Sequence, residues 1–275
     1  MCRWLAYTGA PILIEEVLFR PKNSLIDQSM ASKSAETPTN GDGFGLGWYG
    51  KRAEPGLFRS IRPAWNDTNL RDLAAHIESP LFMAHVRATS LATVQETNCH
   101  PFRHGRWLCV HNGEIFEIEK FRRELMMAVA PPLFNAIEGS TDSELMFYLA
   151  LGLGLDEDPI GAMERMAGLV ERTARARGVP ESLWMTLGFT DGERLFAIRY
   201  ASDGQAPTLY HSRDIGDVYS MNPALKPGLP ARTRMIVSEP VGVTAAAWVE
   251  VPQATALEVV GEQVLLRPFT PAAGT

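Results

Sequence analysis

Between about 159 and 177, apolar side chains return every three or four residues, at Ile160, Met163, Ala167, Val170 and Ala174, the stripe of one helix face. The same spacing at Phe121, Leu125 and Val129 predicts a helix over 116–129, stopped by Pro131 and Pro132. Ahead of the apolar run 145–150, Thr141-Asp142-Ser143-Glu144 reads as a capping box that opens another helix. Elsewhere the apolar runs are short and bounded by turn residues, which predicts strands at 2–7, 44–49, 81–87 and 106–111. Further strands are expected at 185–190 and 194–200, flanking the hairpin signal Asp191-Gly192, and at 208–210 and 235–237. The last pair, 257–260 and 264–266, meets across Gly261-Glu262. Pro101 marks 98–102 as a turn or strand edge. The polar stretch 28–43 reads as a loop that could cover a site. Strands, then helices, then strands again predict an α+β fold of layered sheets with helices outside, ending in a frayed tail over 269–275.

Composition narrows the function classes. With 45% hydrophobic and 21% charged residues, the 275-residue chain can bury a sizeable core as one large domain or two small ones. A net charge of -6 argues against a general nucleic-acid binder. No apolar run approaches the ~20 residues of a membrane span, and Glu15 and Glu16 interrupt the one stretch that could resemble a secretion signal. Three cysteines, Cys2, Cys99 and Cys109, cannot all pair within one chain, which fits a reduced, cytoplasmic protein.

Two apparent motifs do not hold. Gly45-Leu46-Gly47-Trp48-Tyr49-Gly50 matches the dinucleotide fingerprint in letters, but Pro55 and Gly56 follow where a helix must open. The run Cys99, His100, His104, Cys109 and His111 has no common metal-ligand spacing, so no metal is expected, and His85 and His111 read as buried residues that hold backbone.

The chemistry begins at Cys2. Cysteine is small enough to permit removal of the initiator methionine, which would leave a thiol and a free α-amine on one residue, a nucleophile beside its own base. Arg87 ends a strand with a planar fork suited to a carboxylate. Asn112-Gly113 supplies an amide donor and permissive backbone, the ingredients of an oxyanion hole, while Asp142 opens a helix and could accept from an ammonium group. Each also has an ordinary reading: Arg87 paired with a structural acid, Asn112-Gly113 as a two-residue hairpin turn, Asp142 favoured by the helix dipole. Together they describe a pocket for an α-amino acid bearing an amide at its far end.

Several pieces, in order, carry a resemblance. They are Met1-Cys2-Arg3-Trp4-Leu5, Asp42-Gly43-Phe44-Gly45-Leu46-Gly47-Trp48-Tyr49, His85-Val86-Arg87, Asn98-Cys99-His100-Pro101-Phe102, Val110-His111-Asn112-Gly113, Gly139-Ser140-Thr141-Asp142-Ser143-Glu144 and Val237-Ser238-Glu239-Pro240. The chain resembles the class II, N-terminal-nucleophile glutamine amidotransferases, in their short stand-alone YafJ-like form. The resemblance implies a single glutaminase domain over 2–268, folded as a four-layer αββα sandwich of two antiparallel sheets flanked by helices. It implies Cys2 as nucleophile with its freed α-amine as base, and Asn112 with the Gly113 N–H as the oxyanion hole. Arg87 and Asp142 would bind the carboxylate and ammonium of glutamine, with His100 behind them and Trp48 lining the pocket. The family's strand runs on from its arginine to a threonine near substrate; here Thr89 and Ser90 both stand in that region, and the order Arg87-Ala88-Thr89-Ser90 leaves open which one takes the place. The implied reaction is hydrolysis of the γ-amide of glutamine without a cofactor, the ammonia passing to water or to a separate acceptor protein. The alternatives are hydrolysis of another γ-glutamyl amide, as in ergothioneine synthesis, and a non-catalytic glutamine-sensing module. A homodimer is compatible with the resemblance, a nucleic-acid or membrane partner is not.

Overall fold

The apolar runs become strands that bury both faces, because two sheets lie against each other and each carries helices on its other side. The computed structural model describes residues 2–31, 39–88, 93–223, 225, 230, 232–242 and 245–273. In chain order, the first sheet takes β1 (Arg3–Leu13), β2 (Phe44–Trp48), β3 (Gly56–Ser60) and β4 (Glu78–Val86). The second takes β5 (Phe102–His104), β6 (Trp107–Ile115), β7 (Leu183–Thr190) and β8 (Leu195–Ala201). The chain then returns to the first sheet with β9 (Tyr210–Ser212), β10 (Arg234–Val237) and β11 (Trp248–Glu250), and closes the second with β12 (Thr255–Val260) and β13 (Gln263–Pro268). The spatial orders among the described residues are β11-β9-β10-β1-β4-β2-β3 and β13-β12-β8-β7-β6-β5, all neighbours antiparallel.

The helices are α1 (Glu15–Leu18), α2 (Leu25–Met30), α3 (Thr68–His76), α4 (Arg122–Ala128), α5 (Pro131–Phe134), α6 (Asp142–Gly152), α7 (Pro159–Arg175) and α8 (Ile215–Met221). Alternation along the strands sorts the core into three slabs. Leu5 and Tyr7 of β1 face outward and pack with Val17, Leu25 and Leu70 of α1, α2 and α3. Trp4 and Ala6 face inward and meet Leu108 and Val110 of β6. On the far side, Met185, Leu187 and Phe189 of β7 pack with Leu145, Met163 and Val170 of α6 and α7. The result is the expected α+β, four-layer αββα sandwich. Among the described residues no helix is long and apolar enough to cross a membrane.

Three local expectations change on contact with the tertiary structure. β6 does not end at His111 but runs through Asn112 and Gly113 to Ile115, paired with β7 as Asn112↔Thr186 and Gly113↔Met185. Asn112-Gly113 is therefore strand, not a hairpin turn. A strand from more than 70 residues downstream overrides the local turn preference. The glycine serves close approach instead: at φ +156°, a Cβ there would lie 2.0 Å from the Trp184 carbonyl oxygen. The helix expected from 116 consequently starts late, at Arg122, after the left-handed Glu117 (φ 52°). Its Phe121, Leu125 and Val129 are buried as the spacing requires. At the start of α6, the Thr141 side chain accepts from the Glu144 N–H at 3.1 Å, but the Glu144 carboxylate does not return to the cap. It accepts from the Glu138 and Gly139 N–H groups at 2.9 and 2.7 Å, fastening the preceding loop.

The frayed tail is a correction as well. Phe269 is buried and its N–H donates to Ala254, while Ala272 donates to the Glu164 carbonyl and accepts from Arg172. Gly168 of α7 leaves the room for this, since a Cβ there would meet the Ala272 carbonyl oxygen at 2.1 Å. Residues 274–275 lie outside the described residues. So does the middle of the expected covering loop, 32–38, and its N-terminal part is α2, capped by Ser24 with Asp27 in a reciprocal capping box.

Candidate active site

Strand alternation sets several of the expected site residues on the inward sides of β1, β4 and β6. Trp4 faces the space between the sheets, so Cys2, two residues earlier, falls on the same side of the chain. His85 of β4 reaches across that space, and Arg87 follows two residues on. Leu108 and Val110 of β6 point inward, and Asn112 continues that series from the opposite sheet. His111 and Gly113 belong to the other face of β6, toward α6.

Hydrogen bonds stitch the sheets together at this end. The Trp4 Nε1–H donates to Thr186 Oγ1 at 3.3 Å, and the Thr186 hydroxyl donates to the Asn112 carbonyl at 3.2 Å. The His85 Nε2–H donates to the His111 carbonyl at 3.2 Å. Cys2 is held from both sides. Its thiol donates to the Ala88 carbonyl at 3.4 Å, and its own carbonyl accepts from Arg3 Nη1 at 2.9 Å. Arg3 is ion-paired with Glu239, and the Trp4 N–H donates to Ser238 Oγ at 3.0 Å. Arg87 is 3% exposed; its N–H donates to Gly43 at 2.8 Å and its Nη1 lies 3.4 Å from the Asp42 carbonyl.

The opposite wall joins Asn112 to Asp142. Asp142 Oδ2 accepts from the Ile115 N–H at 2.8 Å, which ties the first residue of α6 to the end of β6. Its Oδ1 accepts from the Ser143 N–H, also at 2.8 Å. The Asn112 side chain is 3% exposed, and its Oδ1 has no partner among the described residues. Thus a thiol and a guanidinium stand together beside β1 and β4 of one sheet, and an amide and a carboxylate stand at the end of β6 and the start of α6 on the other.

Burial governs the electrostatics. It pushes the Cys2 thiol up, against the pull of the nearby Arg87 and Arg3 guanidinium groups. It lowers His85 to about 3 and pushes His100 and His111 down, so that these three histidines are neutral. Glu114 beside Asp142 is raised, by burial first and by that neighbouring charge second.

The family model of the class II glutamine amidotransferases matches residues 22–206, more than half of the chain. The chain belongs to that family. A probable glutamine amidotransferase of Saccharomyces cerevisiae is 32% identical, over 98% of this chain and 84% of its own length. A gamma-glutamyl-hercynylcysteine sulfoxide hydrolase of Mycolicibacterium smegmatis is 28% identical, over 74% of this chain and 85% of its own. Among solved structures, a glutamine aminotransferase class-II domain protein of Silicibacter pomeroyi superposes with a TM-score of 0.76 at 34% identity, over 98% of this chain and all of its own.

Not every expected residue reaches the seam. Trp48 sits at the far end of β2, paired with Phe82, whereas Phe44 at the near end pairs with Val86 beside Arg87. Four strand residues separate them, about 13 Å. Its indole packs instead over Gly56 and the outer slab. His100 lies behind His85, its ring stacked at 4.2 Å between centroids. Thr89 and Ser90 lie outside the described residues. His85 and His111 hold backbone as expected, at the His111 and Trp184 carbonyls, but sequence reading passed over other supports: Arg3 with Glu239, Ser238, Thr186 and Ser143. The run Val237-Ser238-Glu239-Pro240 was the available signal for two of these, but nothing local told that it docks on the Cys2 end. A cleft of about 250 Å³ opens among Arg59, Arg103, Glu138, Glu144 and Tyr148, and none of Cys2, Arg87, Asn112 and Asp142 lines it.

Proposed function

We propose that this chain is a cysteine-dependent amidohydrolase that cleaves the γ-amide of glutamine, giving glutamate and ammonia. Removal of Met1 exposes the α-amine of Cys2. That amine takes the thiol proton, and the thiolate adds to the amide carbon. Asn112 and the Gly113 N–H hold the oxyanion of the tetrahedral intermediate. Collapse breaks the carbon–nitrogen bond, and the leaving amine takes the proton held by the α-ammonium of Cys2. Water then cleaves the γ-glutamyl thioester. Arg87 and Asp142 fix the substrate carboxylate and ammonium, which sets the far-end amide at the thiol.

The observation that carries this reading is the Cys2 thiol held at the Ala88 carbonyl beside the Arg87 guanidinium, with Asp142 bonded to the same strand as Asn112. The raised thiol supports it too: a thiol that burial keeps protonated needs a base, and the α-amine is the nearest one such chemistry offers. A second reading, hydrolysis of another γ-glutamyl amide, is favoured by the relative of that activity at 28% identity. Both use the same acyl-enzyme and differ only in the leaving amine; the first releases ammonia, to water or to a separate acceptor, and the second releases a larger amine by simple hydrolysis.

Intact-protein mass spectrometry of untagged protein, before and after a diazoketone analogue of glutamine, tests the shared chemistry. Loss of Met1 and a single adduct on Cys2 are expected. Retained Met1 with no adduct overturns the reading and leaves a non-catalytic glutamine-sensing module. Glutamate release from glutamine, compared with release from γ-glutamyl amides of larger amines, then separates the two substrates.

A further inference from the structure

His111 immediately precedes Asn112, yet its ring points the other way, to the start of α6. It is 1% exposed. Its Nδ1 lies 2.8 Å from Ser143 Oγ, and its Nε2 lies 3.3 Å from the Trp184 carbonyl oxygen. Ser143 Oγ is in turn 3.2 Å from Asp142 Oδ1. The serine hydroxyl carries one hydrogen and two neighbours that can accept it.

The tautomer decides between them. A carbonyl oxygen only accepts, so Nε2 beside Trp184 carries the ring hydrogen, and in a neutral ring Nδ1 is left as an acceptor. The Ser143 hydrogen then goes to Nδ1, at the shorter of the two distances. Asp142, which is half-buried, keeps two backbone N–H donors, from Ile115 and Ser143, and the rest of its acceptor capacity is left for a ligand.

We propose that His111 is a positioning residue that reserves Asp142 for the substrate ammonium, by drawing the Ser143 hydroxyl hydrogen onto its own Nδ1. This rests on the proposed role of Asp142 and extends it to two residues that touch no substrate. If the ring loses its acceptor, the Ser143 hydroxyl turns to Asp142 Oδ1 and competes with the ammonium. Protonation of the ring has the same effect, because Nδ1–H then donates to Ser143 Oγ and the hydroxyl hydrogen moves to Asp142. The titratable groups that act on the ring are Asp142 from α6 and the histidines His85 and His100, while Glu114 of the same strand lies beside Asp142. His85 from β4 bonds its carbonyl, with His100 stacked behind. Burial opposes the charged ring, so the open state of Asp142 prevails at neutral pH.

The test compares glutamine with glutaramate, the same γ-amide and carboxylate without the α-ammonium. His111→Leu is expected to raise KM for glutamine about tenfold or more, the scale of one charge-assisted hydrogen bond, and to leave kcat/KM for glutaramate within about twofold. His111→Gln, which can still accept from Ser143 and donate to Trp184, should behave as the parent. Adding Ser143→Ala to His111→Leu should recover most of the glutamine KM, because the competing hydroxyl is gone. Equal losses on both substrates, or no recovery in the double variant, overturn the proposal. Should His111→Leu not fold, the parent protein supplies the readout: KM for glutamine rises on the acid side, KM for glutaramate does not, and Ser143→Ala flattens the rise. A flat parent profile, or a rise that survives Ser143→Ala, is equally decisive against it. A parent protein that turns over neither substrate refutes the proposed function itself.

Discussion

Cys2 and Asn112 divide the proposed chemistry between bond making and charge stabilisation, and their replacements should fail differently. Cys2→Ala removes the nucleophile, and no glutamate release above background is expected in a coupled assay. Asn112→Ala should keep the thiol and the substrate contacts, and still acquire the diazoketone adduct. Its kcat should fall by about 10²–10³, the usual effect of one lost oxyanion donor. Normal turnover in Asn112→Ala would remove that residue from the mechanism. At this scale the sequence was informative about identity and silent about direction. Asn112, Arg87 and Asp142 stand out by residue type, but only strand parity puts Asn112 on the inward side of β6, in series with Leu108 and Val110, while its neighbour His111 faces Ser143. Trp48 shows the limit: a large aromatic in a matching motif was expected in the pocket, and it packs about 13 Å down the strand.

The elements matter because they carry these side chains to the seam. Thr141 caps α6 one residue before Asp142, with its hydroxyl accepting from the Glu144 N–H. Thr141→Ala should cost about 1 kcal/mol in chemical denaturation, the ordinary worth of an N-cap, and raise KM for glutamine as Asp142 loosens. A stability loss without any change in KM would separate the cap from the site. The contact between sheets is close at Gly188 of β7, where a Cβ would lie 2.8 Å from the Trp4 ring. Gly188→Val should therefore push Trp4 off Thr186 and destabilise by about 1–3 kcal/mol, as overpacking does. An unchanged denaturation midpoint would mean that the sheets can separate freely there. Long periodic helices such as α7 were legible because their stripe is local information. The length of β6 was not, since its last four residues owe their conformation to a partner strand remote in the chain.

For the whole molecule, the buried histidines make stability depend on pH. His85, His100 and His111 sit under the seam with their charged forms disfavoured by burial, His85 at about 3. An unfolded histidine titrates near ~6.5, so below that value the unfolded chain binds protons that the folded chain refuses. Stability is thus full above ~6.5 and is lost as pH falls from there toward the folded values. His85 alone contributes a slope of about 1.4 kcal/mol per pH unit inside that window. Urea denaturation at several pH values between 7.5 and 5 should show the loss, and His85→Gln should make it shallower. An equal slope in that variant would assign the effect to other groups.

The sequence by itself determined the inventory: strands around a helical middle, the family, and the four groups able to hold and attack an α-amino acid amide. It could do so because periodicity and motif order are properties of neighbouring residues. Only the tertiary structure decided how the inventory is used. It turned Asn112-Gly113 from a turn into a strand, sent the Glu144 carboxylate to the preceding loop, docked the tail on α7 and set Trp48 apart from the site. Each of these depends on what packs against a residue from far along the chain, and burial of apolar area and of hydrogen-bonded backbone there outweighs the fraction of a kilocalorie that local preference supplies.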